Sequence, residues 1–262
     1  MIDLRRRDGR PLCVGHRGAP ALAPENTLRS FRAAVAAGVD VVEFDVLDLP
    51  RGPLVLAHSD HLEEVSHGAA RGRVRDKSLE ELRGVAPELP TLEEALAFFA
   101  EEAPHVGLHV DLKLRTRLDE LAAALDRFGL APRTVVSAFH SARLHAVARA
   151  SPRVRIGFTY PEDRFGVSRR ERLWPVVGLG LSAMRASVPF RLTRLVRRAG
   201  ASAVMLQHRL VTPGVVERAH AMGVSVLAWT VDDPADLRRV AAAGVDGVIT
   251  NDPSIFVAIL SA

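Results

Sequence analysis

Cysteine is nearly absent from this chain of 262 residues. The single Cys13 excludes an intrachain disulfide, fits a reducing compartment, and reads as a small core residue. Lysine is almost as scarce. Of 35 basic residues only Lys77 and Lys113 are lysine, so arginine is the default cation and a lysine marks an unusual choice. No one sign of charge dominates either: 31 acidic residues leave a net +4, which gives no case for a nucleic-acid partner. Long apolar runs are missing too. The longest weakly polar stretch, Leu173 to Met184, contains Pro175, Gly178 and Gly180 and falls short of the roughly 20 residues that span a bilayer. The charged N-terminus runs into a short apolar stretch, Pro11 to Val14, too short for a signal-peptide core, and the expectation is a cytoplasmic protein.

What is present is a repeated alternation. Short β-branched runs near 12–16, 40–47, 107–113, 134–139, 154–159, 202–207, 224–230 and 246–250 alternate with amphipathic segments at 25–37, 91–102, 117–128, 141–150, 213–222, 234–243 and 253–260. Thr91 with Glu94 forms a capping-box signature, and Gly38 ends the first helix. Eight strands in βα units predict closure into a (β/α)8 barrel, for which about 250 residues is a usual length. Two segments exceed a bare repeat. An insertion at about 54–90 starts with a short extra strand at 54–58 and continues as a polar excursion over one barrel face. The stretch 161–200 interleaves Arg164, Arg169, Arg170, Arg172, Arg185, Arg191, Arg194, Arg197 and Arg198 with Phe165, Leu173, Trp174, Val176, Val177 and Phe190. It reads either as an arginine-faced pair of helices or as a surface for peripheral contact with anionic lipid.

In such a barrel the active site lies at the C-terminal ends of the strands, so polar residues that end apolar runs are the candidates. The first run ends in Gly15-His16-Arg17-Gly18. In the second, Glu43 and Asp45 share one face while Val42, Phe44 and Val46 share the other, which places both carboxylates inside the barrel. The third, Gly107 to Lys113, turns His109, Asp111 and Lys113 inward. Three carboxylates in one interior repel, and a bound cation is the simplest resolution; an all-oxygen set suits Mg²⁺ or Ca²⁺. Pairing of the carboxylates with Arg17 or Lys113, with no metal, is the alternative. His109 sits deeper and reads as a core or supporting histidine. Lys113 is a point charge suited to a phosphate oxygen. Leu54 to His58 brings a second histidine to the end of an apolar run, and two imidazoles beside a cation suit phosphoryl chemistry, one removing a proton and the other supplying one.

These residues resemble the glycerophosphodiester phosphodiesterases. The likeness lies in His16-Arg17-Gly18, Pro24-Glu25-Asn26-Thr27, Glu43-x-Asp45, His58 after an apolar run, Pro90-Thr91-Leu92-Glu93-Glu94, Trp229-Thr230-Val231 and the run Gly244 to Thr250, in order over nearly the whole chain. The resemblance implies a single barrel domain over 1–262 with a small insertion after the second strand. It also implies a divalent metal on Glu43, Asp45 and Asp111, and His16 and His58 as acid and base. Arg17 and Lys113 would contact phosphate, and Trp229 would line the pocket of a small phosphodiester; plain barrel packing is the other reading of Trp229. Two positions depart from the family pattern, Ser59 where Asp is usual and Asp111 where Glu is usual. Asp60 is the expected substitute partner for His58, and the shorter Asp111 is expected to draw the metal toward its own strand or to leave room for a water. The activity implied is hydrolysis of glycerophosphodiesters to glycerol phosphate and an alcohol. Lysophospholipase D-like action at a membrane surface, and a barrel that binds a phosphorylated ligand without turnover, are the competing expectations.

Overall fold

The structure, a computed structural model, describes residues 1–162 and 174–256. Eight parallel strands close a barrel: β1 (Leu12–Gly15), β2 (Val41–Asp48), β4 (Gly107–Leu112), β5 (Thr134–Ala138), β6 (Arg155–Tyr160), β7 (Ala203–Gln207), β8 (Ser225–Trp229) and β9 (Gly247–Thr250). Closure is made by β1, which pairs with β2 on one side and β9 on the other. A ninth strand, β3 (Leu54–Leu56), lies antiparallel on the outer end of β2 with Val46 opposite Leu56.

Alternation within each strand sorts side chains into two cores. Inward residues such as Leu12, Val14, Val41, Val135, Met205, Leu227 and Ile249 fill the barrel floor, where Leu4 and Ile2 of the N-terminal segment join them. Outward residues meet the surrounding helices; Phe44 packs with Phe31 and Phe99, which in turn meet Phe98, with ring centroids 5.2 Å apart for Phe31 and Phe99.

The helices are α1 (Leu28–Ala36), α2 (Leu62–Val65), α3 (Leu79–Val85), α4 (Leu92–Glu101), α5 (Leu118–Arg127), α6 (Ser141–Ala150), α7 (Trp174–Ala199), α8 (Pro213–His220) and α9 (Pro234–Ala242). Thr91 and Glu94 cap α4 reciprocally, as expected. The first helix starts later than its pattern predicts: Thr27 is the N-cap and accepts the Ser30 N–H, because Glu25 and Asn26 turn back toward the barrel mouth with Asn26 left-handed at φ +55°. The insertion has a core of its own, in which Leu47, Leu49 and Val55 pack with Leu62, Val74 and Leu82.

Of the expected helical pair at 161–200 the structure describes one member, the 26-residue α7. It continues through Pro189 because Val188, Leu192, Val196 and Ala199 bury one face, and that packing outweighs the lost backbone bond. Residues 163–173, with Arg164, Phe165, Arg169, Arg170, Arg172 and Leu173, and the predicted helix end at 257–260 lie outside the described residues. Residues 253–256 form a 3-10 turn.

Candidate active site

The strand ends bring the predicted residues to one mouth. Immediately after β1 the chain turns sharply: Arg17 is left-handed at φ +50° and Gly18 has φ +91°. A Cβ on Gly18 would lie 2.3 Å from Ser30 Oγ, and one on Gly15 would lie 2.3 Å from the Gly18 carbonyl oxygen, so neither position tolerates a side chain. Glu43 fastens the turn by accepting the Arg17 backbone N–H at 2.8 Å. A left-handed arginine costs on the order of 1–3 kcal/mol and persists because such bonds enforce it.

His16 donates Nδ1–H to Asn251 Oδ1 at 2.7 Å, and the Asn251 amide is oriented by Asp232, which accepts its Nδ2–H at 2.7 Å. The tautomer is thereby fixed, leaving the Nε2 lone pair in the site, 4.0 Å from Glu43 Oε2. Burial, reinforced by the Arg17 guanidinium, presses His16 down to about 3, so the ring is neutral.

His58 follows β3 and is drawn to the mouth where the Ala57 N–H donates to the Asp45 carbonyl at 3.2 Å. Its Nδ1 faces Glu64 Oε2 at 3.3 Å, and Ser59 Oγ donates to the same oxygen at 2.7 Å. Asp60, the expected partner, is taken instead by the Arg73 side chain and the Arg75 backbone N–H. The reason is geometric: the chain turns after Ser59, and the first turn of α2 presents Glu64 toward His58.

Glu43, Asp45 and Asp111 are buried inside the barrel, with Asp45 and Asp111 directly opposite on neighbouring strands. Asn26 holds Asp45 twice, donating Nδ2–H to Oδ2 at 3.0 Å and accepting the Asp45 N–H at 3.1 Å. Lys113 Nζ stands between the two aspartates, 3.1 Å from Asp45 Oδ1 and 2.5 Å from Asp111 Oδ2, with the Phe139 ring 5.9 Å away. Arg17 lies 3.1 Å from Asp45 Oδ2 through Nε and ion-pairs with Glu25 at 2.8 Å. Burial alone would raise Asp45, but Lys113 and then Arg17 hold it far below the usual carboxylate range. Glu43 is pushed well above its usual value, by burial first and then by Asp45 and Asp111. Two cations stand among four carboxylates, and Glu43 is the one whose charged form is disfavoured. Among the described residues, no three acidic, histidine or cysteine side chains converge as a preformed ion cage.

A family model described as glycerophosphoryl diester phosphodiesterase matches residues 16–255. The chain belongs to this family. A glycerophosphodiester phosphodiesterase of Caldanaerobacter subterraneus subsp. tengcongensis is 27% identical, covering 94% of this chain and 96% of the relative. A candidate glycerophosphoryl diester phosphodiesterase from Silicibacter pomeroyi DSS-3 superposes with a TM-score of 0.79 at 28% identity, covering 98% and 95% of the two chains. An Oleispira antarctica phosphodiesterase, solved with its product sn-glycerol-3-phosphate, shares the fold at a TM-score of 0.72 and 21% identity, covering 97% and 98%. The chain is accordingly a phosphoric diester hydrolase with the glycerophosphoryl diester phosphodiesterase barrel.

Within this family's site, Trp229 ends β8 half-buried against the barrel floor and donates Nε1–H to the Met205 carbonyl at 3.0 Å. His109 is buried in the barrel interior and bonds Ser137 Oγ through Nε2 at 2.8 Å. Several contributors escaped the sequence reading. Asn251 follows the apolar run that ends at Thr250, so the rule of polar residues at strand ends pointed to it. Asn26 belongs to the Pro24-Glu25-Asn26-Thr27 motif, which by itself assigns it no role, and Ser137 has only its inward alternation on β5. Glu64 carried no local signal, since its contact with His58 depends on how the insertion folds.

Proposed function

We propose that the protein hydrolyses glycerophosphodiesters to glycerol phosphate and an alcohol by acid–base catalysis with His16 and His58. The observation that carries this reading is the pair of imidazoles at one mouth, each with Nδ1 held by a fixed acceptor, His16 by Asn251 and His58 by Glu64, beside a buried excess of carboxylates. His16, kept neutral, takes the proton from the attacking water. His58, with a carboxylate behind it, supplies one to the leaving alkoxide. Arg17 and Lys113 offer cationic contacts to the phosphate oxygens, and Trp229 forms part of the pocket wall.

The donor chemistry fits a hard divalent cation such as Mg²⁺ or Ca²⁺: the groups are carboxylate oxygens, all three residues are buried in the barrel interior, and Asp45 lies directly opposite Asp111. Glu43, Asp45 and Asp111 would hold it. Such an ion supplies Lewis-acid stabilisation of charge on the phosphoryl group. The decisive assay is turnover of glycerophosphocholine, glycerophosphoethanolamine, glycerophosphoinositol and lysophospholipids, with Mg²⁺, with Ca²⁺ and in excess EDTA. Release of glycerol phosphate that EDTA abolishes and added ion restores is expected. Full activity in EDTA would refute the metal, and no turnover of any diester would refute the function.

One observation favours a second reading, lysophospholipase D-like action at a lipid surface. On α7, Phe190 is 82% exposed among exposed Arg185, Arg191, Arg194, Arg197 and Arg198, a face suited to anionic lipid. Co-sedimentation with anionic vesicles that is lost in high salt and in Phe190→Ser tests it; failure to co-sediment leaves water-soluble diesters as the substrates.

A further inference from the structure

Asp111 is gripped from behind by three inward polar side chains on consecutive strands. Ser137 of β5, directly opposite Asp111, lies with its Oγ 2.6 Å from Asp111 Oδ1. His109 Nε2 is 2.8 Å from that Ser137 Oγ. Thr159 of β6 brings its Oγ1 to 3.1 Å from Ser137 Oγ and 3.4 Å from Asp111 Oδ1. All four residues are buried.

Counting protons settles the direction of each bond. An ionised carboxylate only accepts, so the hydroxyl of Ser137 donates its one proton to Asp111. His109 Nε2 must then donate to Ser137, and Nδ1 keeps a lone pair. Among the described residues that nitrogen is buried without a hydrogen-bond partner, which costs less as a lone pair than as a stranded N–H. The Thr159 hydroxyl donates into the same pair of oxygens. Every bond runs one way, toward Asp111 Oδ1. The other oxygen, Oδ2, is left facing the cavity, where its partner is Lys113.

The geometry points to His109, Ser137 and Thr159 as positioning residues that lock Asp111 Oδ1 into the barrel wall and hold Oδ2 toward the site, so that the carboxylate can exchange the Lys113 ammonium for a divalent cation without rotating. This rests on the proposed role of Asp111 in holding that cation. It assigns these three residues alignment alone.

The test uses the full chain, Mg²⁺ titrated calorimetrically without substrate, and kinetics at saturating Mg²⁺. Ser137→Ala should weaken Mg²⁺ binding by roughly 10-fold or more, the usual size for loss of a residue that orients a ligand, while Ser137→Thr keeps the hydroxyl and stays near wild type. His109→Leu should add little to Ser137→Ala, and neither should change affinity once Asp111→Asn is in place. Unaltered Mg²⁺ affinity in Ser137→Ala, or the same loss in the Asp111→Asn background, would overturn the proposal. A wild type that binds no Mg²⁺ would overturn the metal reading, and the alignment is then judged by a second measurement. Long-range ¹H–¹⁵N correlation of the His109 ring should show the proton on Nε2 alone, in wild type and not lost in Ser137→Thr. A proton on Nδ1 would defeat the one-way chain whatever the outcome with metal.

Discussion

Replacing Lys113 by methionine separates the two jobs that the structure places on its ammonium. Methionine keeps most of the volume but removes the charge that lies 3.1 Å from Asp45 and 2.5 Å from Asp111. Asp45 retains Asn26 and Arg17, whereas Asp111 retains only neutral hydroxyl donors. Breaking a buried ion pair by deleting one partner costs about 3–5 kcal/mol. Lys113 keeps 19% of its side-chain surface exposed, so the lower end, about 3 kcal/mol, is appropriate. At roughly 2–4 °C per kcal/mol for a chain of this size, Tm should fall by about 6–12 °C in EDTA. Mg²⁺ should then help the variant more than the wild type, because the carboxylates have lost their internal cation. At a hundredfold excess over Kd it would contribute about 2.7 kcal/mol, enough to offset nearly the whole loss. Differential scanning fluorimetry in EDTA and across a Mg²⁺ series reads both effects. A variant within about 2 °C of wild type in EDTA, or one that gains no more from Mg²⁺ than wild type does, would refute the account of Lys113 as a stand-in cation.

His16→Ala and His58→Ala should each lower turnover roughly 100-fold or more at unchanged fold, as loss of an acid or base does, and near-normal kcat in either would make that histidine structural. Glu64→Gln should lower kcat by less than His58→Ala and leave KM little changed, and no change in kcat would remove Glu64 as the partner of His58. Asp111→Glu pushes a longer carboxylate past Ser137 and Thr159, and since misplacement by about 1 Å can cost 10²-fold, turnover and Mg²⁺ affinity should both fall; a gain in both would defeat this reading. Burial holds His16 at about 3 against 6.5 for a free imidazole, so in that interval the unfolded chain binds a proton the folded chain does not. The stability this gives is complete above pH 6.5 and is lost as pH falls toward 3. The Tm advantage of wild type over His16→Asn should therefore narrow on acidification from pH 7 to about pH 4, and a constant gap would contradict the burial of a neutral imidazole.

The order and inward faces of the barrel strands were legible in the chain because a strand's pleat is local: alternation alone placed Glu43, Asp45, His109, Asp111 and Lys113 inside and Val42, Phe44 and Val46 outside. The capping of α4 was legible for the same reason, since Thr91 and Glu94 are three residues apart. Partnerships across the fold were not. Asp60 and Glu64 are both acidic and both near His58 in sequence, and only the path of the insertion decides that Glu64 faces the imidazole while Asp60 meets Arg73 and Arg75. Likewise, composition singled out Lys113, but that its ammonium lies between Asp45 and Asp111 depends on the register of β2 against β4. Periodicity reports which face a side chain takes along its own element; which charge it meets there is set by elements far away in sequence, and only the closed barrel brings those together.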